Sequence, residues 1–191
     1  MSGIGGTAVA AGKPASNPGT GANLAPVWPS PPARARIQFV KEISSLKDLG
    51  GKPSLWERFL DLVAGEAPEQ LVTPHGLAVF ENRLYIADSD GHAVWEFDMA
   101  RPAVHRWDVP GEHFLTPIGV AVDQKGKVFV SDSGRGSVFV LSPQGRFLKA
   151  ISGGNLFVRP TGLALDRARK RLYVVDTAGN RITVLDTENY K

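Results

Sequence analysis

Short runs of apolar residues, separated by Gly, Asn and Asp, recur at a regular spacing from residue 71 onward. Runs of this length that are bounded by turn-forming residues are typical of β-strands. Three successive units each contain three such runs and a more variable fourth, which is clearest in the second unit at Gly145–Ser152. Four strands in about 43 residues predict one blade of a β-propeller. The pattern therefore predicts an all-β fold with about three four-stranded blades.

The three units align closely. They open with Pro74-His-Gly-Leu-Ala-Val79, Pro117-Ile-Gly-Val-Ala-Val122 and Pro160-Thr-Gly-Leu-Ala-Leu165. The prolines lie 43 positions apart, from 74 to 117 and from 117 to 160. A single four-stranded sheet exposes both of its faces, so we expect the blades to stack around an axis and bury them.

These motifs resemble those of the NHL-repeat family, over roughly residues 71–191. The resemblance rests on the Pro-x-Gly-[Leu/Val]-Ala opening, on a second strand ending in Asp-[Ser/Thr], and on the Asn180-Arg181 start of a third strand. The first two units have His92-Ala93 and Gly136-Ser137 at this last position. The resemblance implies an NHL-type propeller of the six-bladed type, of which this chain carries about three blades.

Two segments precede the blades. Residues 1–34 are rich in Gly, Ala, Pro and Ser, which predicts a flexible leader. Within residues 35–70, a Ser54-x-x-Glu57 capping box and Gly65 bound one amphipathic helix. We favour packing of this helix on the propeller as a cap over binding to a membrane or a partner, because it carries a single Arg.

An early strand is predicted at Arg36–Ser44. Its pattern from Phe39 to Ile43 matches that from Phe147 to Ile151, which belongs to the fourth run of the second unit. We therefore interpret it as a closing strand, the outermost strand of a last blade that this chain does not contain. The missing blades would come from the rest of a longer chain or from a second copy.

Composition narrows the classes of function. The chain has no Cys, which excludes disulfides, thiolate metal sites and Cys nucleophiles. A formal charge of +3 is too small to indicate nucleic-acid binding, and no apolar run is long enough to span a membrane. No signal peptide is recognisable. The combination of such a propeller with a Pro-rich leader resembles exported bacterial proteins, which favours a periplasmic or extracellular compartment.

Residues that recur in every unit are predicted to be structural. Gly76, Gly119 and Gly162 begin the innermost strand, where backbones crowd together. The recurring aspartates end the second strand and are expected to accept N–H bonds from the following turn, and the recurring aromatic residues are expected to fill the core between blades. These two sets are Asp88, Asp132 and Asp176, and Tyr85, Phe129 and Tyr173.

Function is therefore sought in residues that do not repeat. In a propeller, the loop before each inner strand and the turn between the second and third strands share one face. The candidate ligand-binding residues on that face are His75, Asp90, His92, Arg135, Asn180 and Arg181. His75 is of special interest because Ile118 and Thr161 occupy the matching positions. In NHL-like lyases, histidines near the channel bind metal or perform acid–base chemistry.

The sequence favours a non-catalytic propeller that binds a protein, a peptide or a small ligand through this face. No catalytic residues, metal ligands or cofactor are predicted, because no convergent set of such residues is visible. Two alternatives stay open: an NHL-like lyase or hydrolase with a metal at the central channel, and an RNA-binding propeller. The basic run from Arg167 to Arg171 falls in a turn on the other face and is expected to be solvated.

Overall fold

The computed structural model describes residues 26–34, 36–43, 70–101, 103–109, 111–153 and 156–190. The chain divides into two compact units, Met1–Lys41 and Glu42–Lys191. The predicted helix between Ser54 and Gly65 lies outside the described residues. Among those residues, no helix is long and apolar enough to cross a membrane.

The first unit contains a short antiparallel pair of strands. Strand β1 (Val27–Trp28) pairs with β2 (Ile37–Gln38). The Arg36 N–H donates a hydrogen bond to the Trp28 carbonyl at 2.8 Å. Part of the range predicted as a flexible leader is thus paired, and the early strand is shorter than predicted. Its assignment as the closing strand of a further blade stays a prediction.

The described part of the second unit forms three antiparallel sheets in which sequence neighbours pair. The first sheet contains β3 (Pro74–Phe80), β4 (Arg83–Asp88), β5 (Ala93–Asp98) and β6 (Ala103–Trp107). The second contains β7 (Pro117–Val122), β8 (Val128–Asp132), β9 (Ser137–Leu141) and β10 (Phe147–Ile151). The third contains β11 (Pro160–Asp166), β12 (Arg171–Asp176) and β13 (Arg181–Asp186). The predicted blades are present, with two four-stranded sheets and one of three described strands.

The core lies between successive blades. Because side chains alternate across a strand, each blade has a forward face, turned to the next blade in the chain, and a back face, turned to the preceding one. Tyr85 and Val94 on the forward face of the first blade pack with Val120, Val130 and back-face residues of the second. The same arrangement recurs between the second and third blades. Stacking of blades, not folding of any single sheet, therefore buries the apolar residues.

The inner strands β3, β7 and β11 meet edge to edge near the axis. Each has an irregular register directly after its opening proline, between Pro74 and Leu77, Pro117 and Gly119, and Pro160 and Leu163. A Cβ on Gly76 would collide with the Ile118 carbonyl oxygen, and one on Gly119 with that of Thr161. Glycine at these positions thus allows the backbones of adjacent blades to touch.

Candidate functional site

One end of the blades carries the segment before each inner strand together with the turn after each second strand, and we call this end the loop face. The two sets of loops are joined directly by backbone hydrogen bonds. The N–H groups of Ser89, Ser133 and Thr177 donate to the carbonyls of Thr73, Thr116 and Arg159 at 3.0, 2.9 and 3.0 Å. The predicted meeting of the two loop sets on one face is therefore observed.

The recurring aspartates organise this face. Asp132 is fully buried and accepts hydrogen bonds from the N–H groups of Leu115 (2.7 Å), Thr116 (3.0 Å) and Arg135 (3.0 Å). The Arg135 bond belongs to the turn, as expected for a turn-stabilising residue. The bonds from Leu115 and Thr116 are additional to those expected from the turn, and they fix the position of the segment that leads into β7. One carboxylate thus fixes both loops of its blade.

Asp88 and Asp176 likewise accept backbone N–H bonds from the segment before their inner strands, and Asp176 also lies 3.3 Å from the Arg181 guanidinium. Asp88 accepts bonds from the N–H groups of Val72 at 2.8 Å and Thr73 at 2.7 Å, and from the indole N–H of Trp95 at 3.1 Å. Burial raises the pKa of Asp88, but these donors together lower it more, so its pKa lies below its ordinary value. The pKa of Asp176 is lowered by the same balance of burial against backbone N–H donors. Both groups are thus held as carboxylates.

Arg135 and Arg181 were predicted to contact a ligand, but both also hold backbone. The Arg135 guanidinium donates to the His113 carbonyl at 2.7 Å, and that of Arg181 donates to the Leu156 carbonyl at 2.9 Å. Each acceptor lies four residues before the opening proline of its blade. The two arginines therefore bind equivalent carbonyls from different positions in their turns, and each stabilises the segment before an inner strand.

His92, Asp90 and Asn180 are also placed on the loop face. The His92 ring lies 2.7 Å from the Leu115 carbonyl, which connects the turn of the first blade to the segment leading into the second. Asp90 accepts a hydrogen bond from the Thr73 hydroxyl at 2.6 Å. His92 and Asn180 have φ angles of 49° and 51°, so each closes its turn in the left-handed region.

His75 differs from the other candidates. It is exposed at the start of β3, and its side chain makes no hydrogen bond or ion pair within the described part of the chain. It lies beside a groove of about 290 Å³ that runs along the inner strands. The groove is lined by His75, Gly76, Leu77, Ile118, Gly119, Val120, Gly162 and Leu163. A polar side chain therefore stands at the edge of an otherwise largely apolar surface near the axis.

A second departure from the repeat lies between the first two blades and was missed in the sequence. Glu96 is buried, at 5% exposure, where the other blades carry Val140 and Val184. Burial raises the pKa of Glu96, opposed in part by the charges of Arg83 and His105. The Arg83 guanidinium lies 3.2 Å from its carboxylate. A charged residue inside the apolar run Ala93-Val-Trp-Glu-Phe-Asp98 was the available signal.

Within the described ranges, no group of three or more His, Cys, Asp or Glu side chains is placed to hold a metal ion. The recurring aspartates accept hydrogen bonds from backbone N–H groups. The groove offers apolar contact from the inner strands, and His75 at its edge offers hydrogen bonding.

The described architecture is that of a β-propeller-like protein. The model of the NHL repeat matches residues 71–97 and 114–141, so the chain carries NHL repeats at these two positions. The third unit shows the same strand pattern outside the matched ranges. A search of curated proteins finds no match to the chain.

Solved structures show the same fold. Virginiamycin B lyase from Staphylococcus aureus has a TM-score of 0.55 and 15% identity, with 64% of this chain and 41% of that chain covered. A catalytically inactive variant of that enzyme with quinupristin gives 0.54 and 15%, covering 62% and 39%. Hydrazine synthase from Kuenenia stuttgartiensis gives 0.51 and 22%, covering 65% and 36%. The chain thus spans less than half the length of these proteins, and the likeness concerns the fold alone.

Proposed function

We propose that this chain is a non-catalytic NHL-type propeller that binds a protein, a peptide or a small ligand through its loop face. The observation that carries the proposal is the placement of His75. It breaks the repeat, it is exposed, and it stands beside the groove between the inner strands. The repeating residues of the same face are engaged in backbone hydrogen bonds and build the surface on which His75 is presented.

The chemistry of the groove favours a ligand with both apolar and polar parts. Ile118 supplies apolar contact along the inner strands. A neutral imidazole offers one donor and one acceptor, so His75 can pair with a peptide group or with a side-chain amide. Asp90 adds negative charge to the same face and has one hydroxyl partner, Thr73. An extended peptide segment with an apolar side chain fits these features best.

A second candidate is an NHL-like lyase or hydrolase with a metal at the channel. The exposed His75 beside the axis favours it, because imidazole is a common metal ligand. The remaining ligands would have to come from residues outside the described ranges or from another chain. Elemental analysis of the purified protein tests this candidate: a stoichiometric metal that is lost in His75→Ala supports it, whereas metal that is retained in the variant argues against a site at His75.

Selection from a random peptide library displayed on phage tests the main proposal. We expect enriched peptides to bind the purified protein and to lose most of their affinity for His75→Ala. Arg169→Ala is the matched control, because Arg169 is exposed in the β11–β12 turn at the opposite end of the blade. Peptides that bind the wild type and His75→Ala equally but lose affinity for Arg169→Ala would contradict the choice of face.

A further inference from the structure

The forward face of the third blade is exposed, although the same face is buried in the first two blades. Ile182 and Val184 are 64% and 46% exposed, whereas the equivalent Val138 and Val140 of the second blade are fully buried. Val175 is 39% exposed, and its equivalent Ser131 is buried. The surface comprises Gly162, Ala164, Tyr173, Val175, Ile182 and Val184, and we call it the open forward face.

Gly162 gives a second, independent sign that this face is made for a neighbour. A Cβ on Gly76 or Gly119 would collide with backbone of the following blade. A Cβ on Gly162 would meet only the Val175 side chain, with the nearest atom at 3.5 Å. The third inner strand thus keeps the residue that permits close approach of another backbone, while no backbone lies there in the described part of the chain.

The complementary surface is found on the first blade. Leu77 and Val79 are 68% and 51% exposed on its back face. Their equivalents Val120 and Val122 are only 5% and 1% exposed, because they pack against the forward face of the first blade. The outer strands of this back face are already in contact with Ile43 and Leu71 at the cluster formed by Ile86, Trp95 and Phe97. The free part is therefore centred on the inner strand β3.

We propose that a second copy of this chain docks the back face of its first blade, through Leu77 and Val79, on the open forward face. The contact continues the interface that the chain already makes twice, between the first and second and between the second and third blades. A second copy is the occupant because each chain carries both halves of the interface. Two such head-to-tail contacts related by a two-fold axis close a ring, and burial of these apolar side chains drives the association.

Analytical ultracentrifugation over a wide range of concentration tests the proposal. We expect the wild type to form a dimer, and Ile182→Glu and Leu77→Glu each to be monomeric. Both side chains are largely exposed in one chain, so neither change should unfold it, which circular dichroism checks. Leu148→Glu is the matched control, because Leu148 is 53% exposed on strand β10 of the second blade, which contributes to neither of the two docking faces. The control variant should remain dimeric.

A mixing experiment separates head-to-tail docking from other modes of association. In an equimolar mixture of Ile182→Glu and Leu77→Glu, one of the two interfaces of a mixed dimer carries both substitutions and the other is unchanged. We therefore expect the mixture to recover a weaker dimer that neither variant forms alone. A wild type that is monomeric at every concentration, single variants that associate normally, or a mixture that stays monomeric would each overturn the proposal.

Discussion

Replacing Asp132 by alanine should be among the most destabilising single changes in the second blade. The substitution removes the acceptor of three backbone N–H groups, those of Leu115, Thr116 and Arg135, at a fully buried position. Leaving a buried donor unsatisfied costs about 1–3 kcal/mol. Since water can reach the partly buried loop and recover part of this loss, we expect a decrease of about 3–5 kcal/mol in the free energy of unfolding.

Urea unfolding followed by tryptophan fluorescence measures this change as a shift of the midpoint at a constant slope. Asp132→Asn retains one acceptor oxygen and should lose about half as much. Asp90→Ala is the control, since Asp90 accepts one exposed bond from the Thr73 hydroxyl, and its loss should stay below about 1 kcal/mol. The reasoning is refuted if Asp132→Ala costs no more than this control.

Three further predictions follow from the blade interfaces and the buried charges. Gly119→Ala should lower the free energy of unfolding by about 1–3 kcal/mol, because its Cβ would collide with the Thr161 carbonyl. Gly162→Ala should be near neutral in dilute protein. Equal losses of stability in the two variants would contradict the stacking of the blades. The pKa values of Asp88 and Asp176 are lowered in the folded protein. The two carboxylates therefore add to the free energy of unfolding above the unfolded pKa of about 3.9, and this stabilisation is lost as the pH falls through the folded pKa values. Asp88→Asn should therefore flatten the acid arm of a melting-temperature profile, and an unchanged profile would contradict this. The pKa of Glu96 is raised in the folded protein, so its contribution to the free energy of unfolding is present below the unfolded pKa of about 4.3 and is lost as the pH rises through the folded pKa. Glu96→Gln should therefore remove this loss of stability with rising pH. A steeper loss in the variant would contradict the prediction.

The blades could be predicted because the same pattern of residues recurs three times in the sequence. The third apolar run of the sequence spans Ala93–Asp98 in the first unit and Arg181–Asp186 in the third, and these are the bounds of β5 and β13. A single occurrence of a turn residue, an alternating run and an aspartate is only weak evidence for a β-strand. Their repetition in register removes the ambiguity, and it also showed which residues are structural.

The long-range bonds of the loop face could not be predicted in the same way. Arg135 and Arg181 occupy different positions in their turns, so no alignment shows that they bind equivalent carbonyls. The bonds from Leu115 and Thr116 to Asp132 join residues far apart in the sequence, and depend on how the backbone enters the blade. The pairing of Val27–Trp28 with Ile37–Gln38 likewise carries no repeat signal.

We propose that residues which break the repeat on the loop face bind the ligand. Amide chemical shifts of the ¹⁵N-labelled protein, recorded while a peptide selected from the phage library is added, test it most directly. We expect the largest changes at His75, Asp90 and His92 and along the inner-strand groove. Changes confined to the turns at 123–127 and 166–171, at the opposite end of the blades, would contradict it.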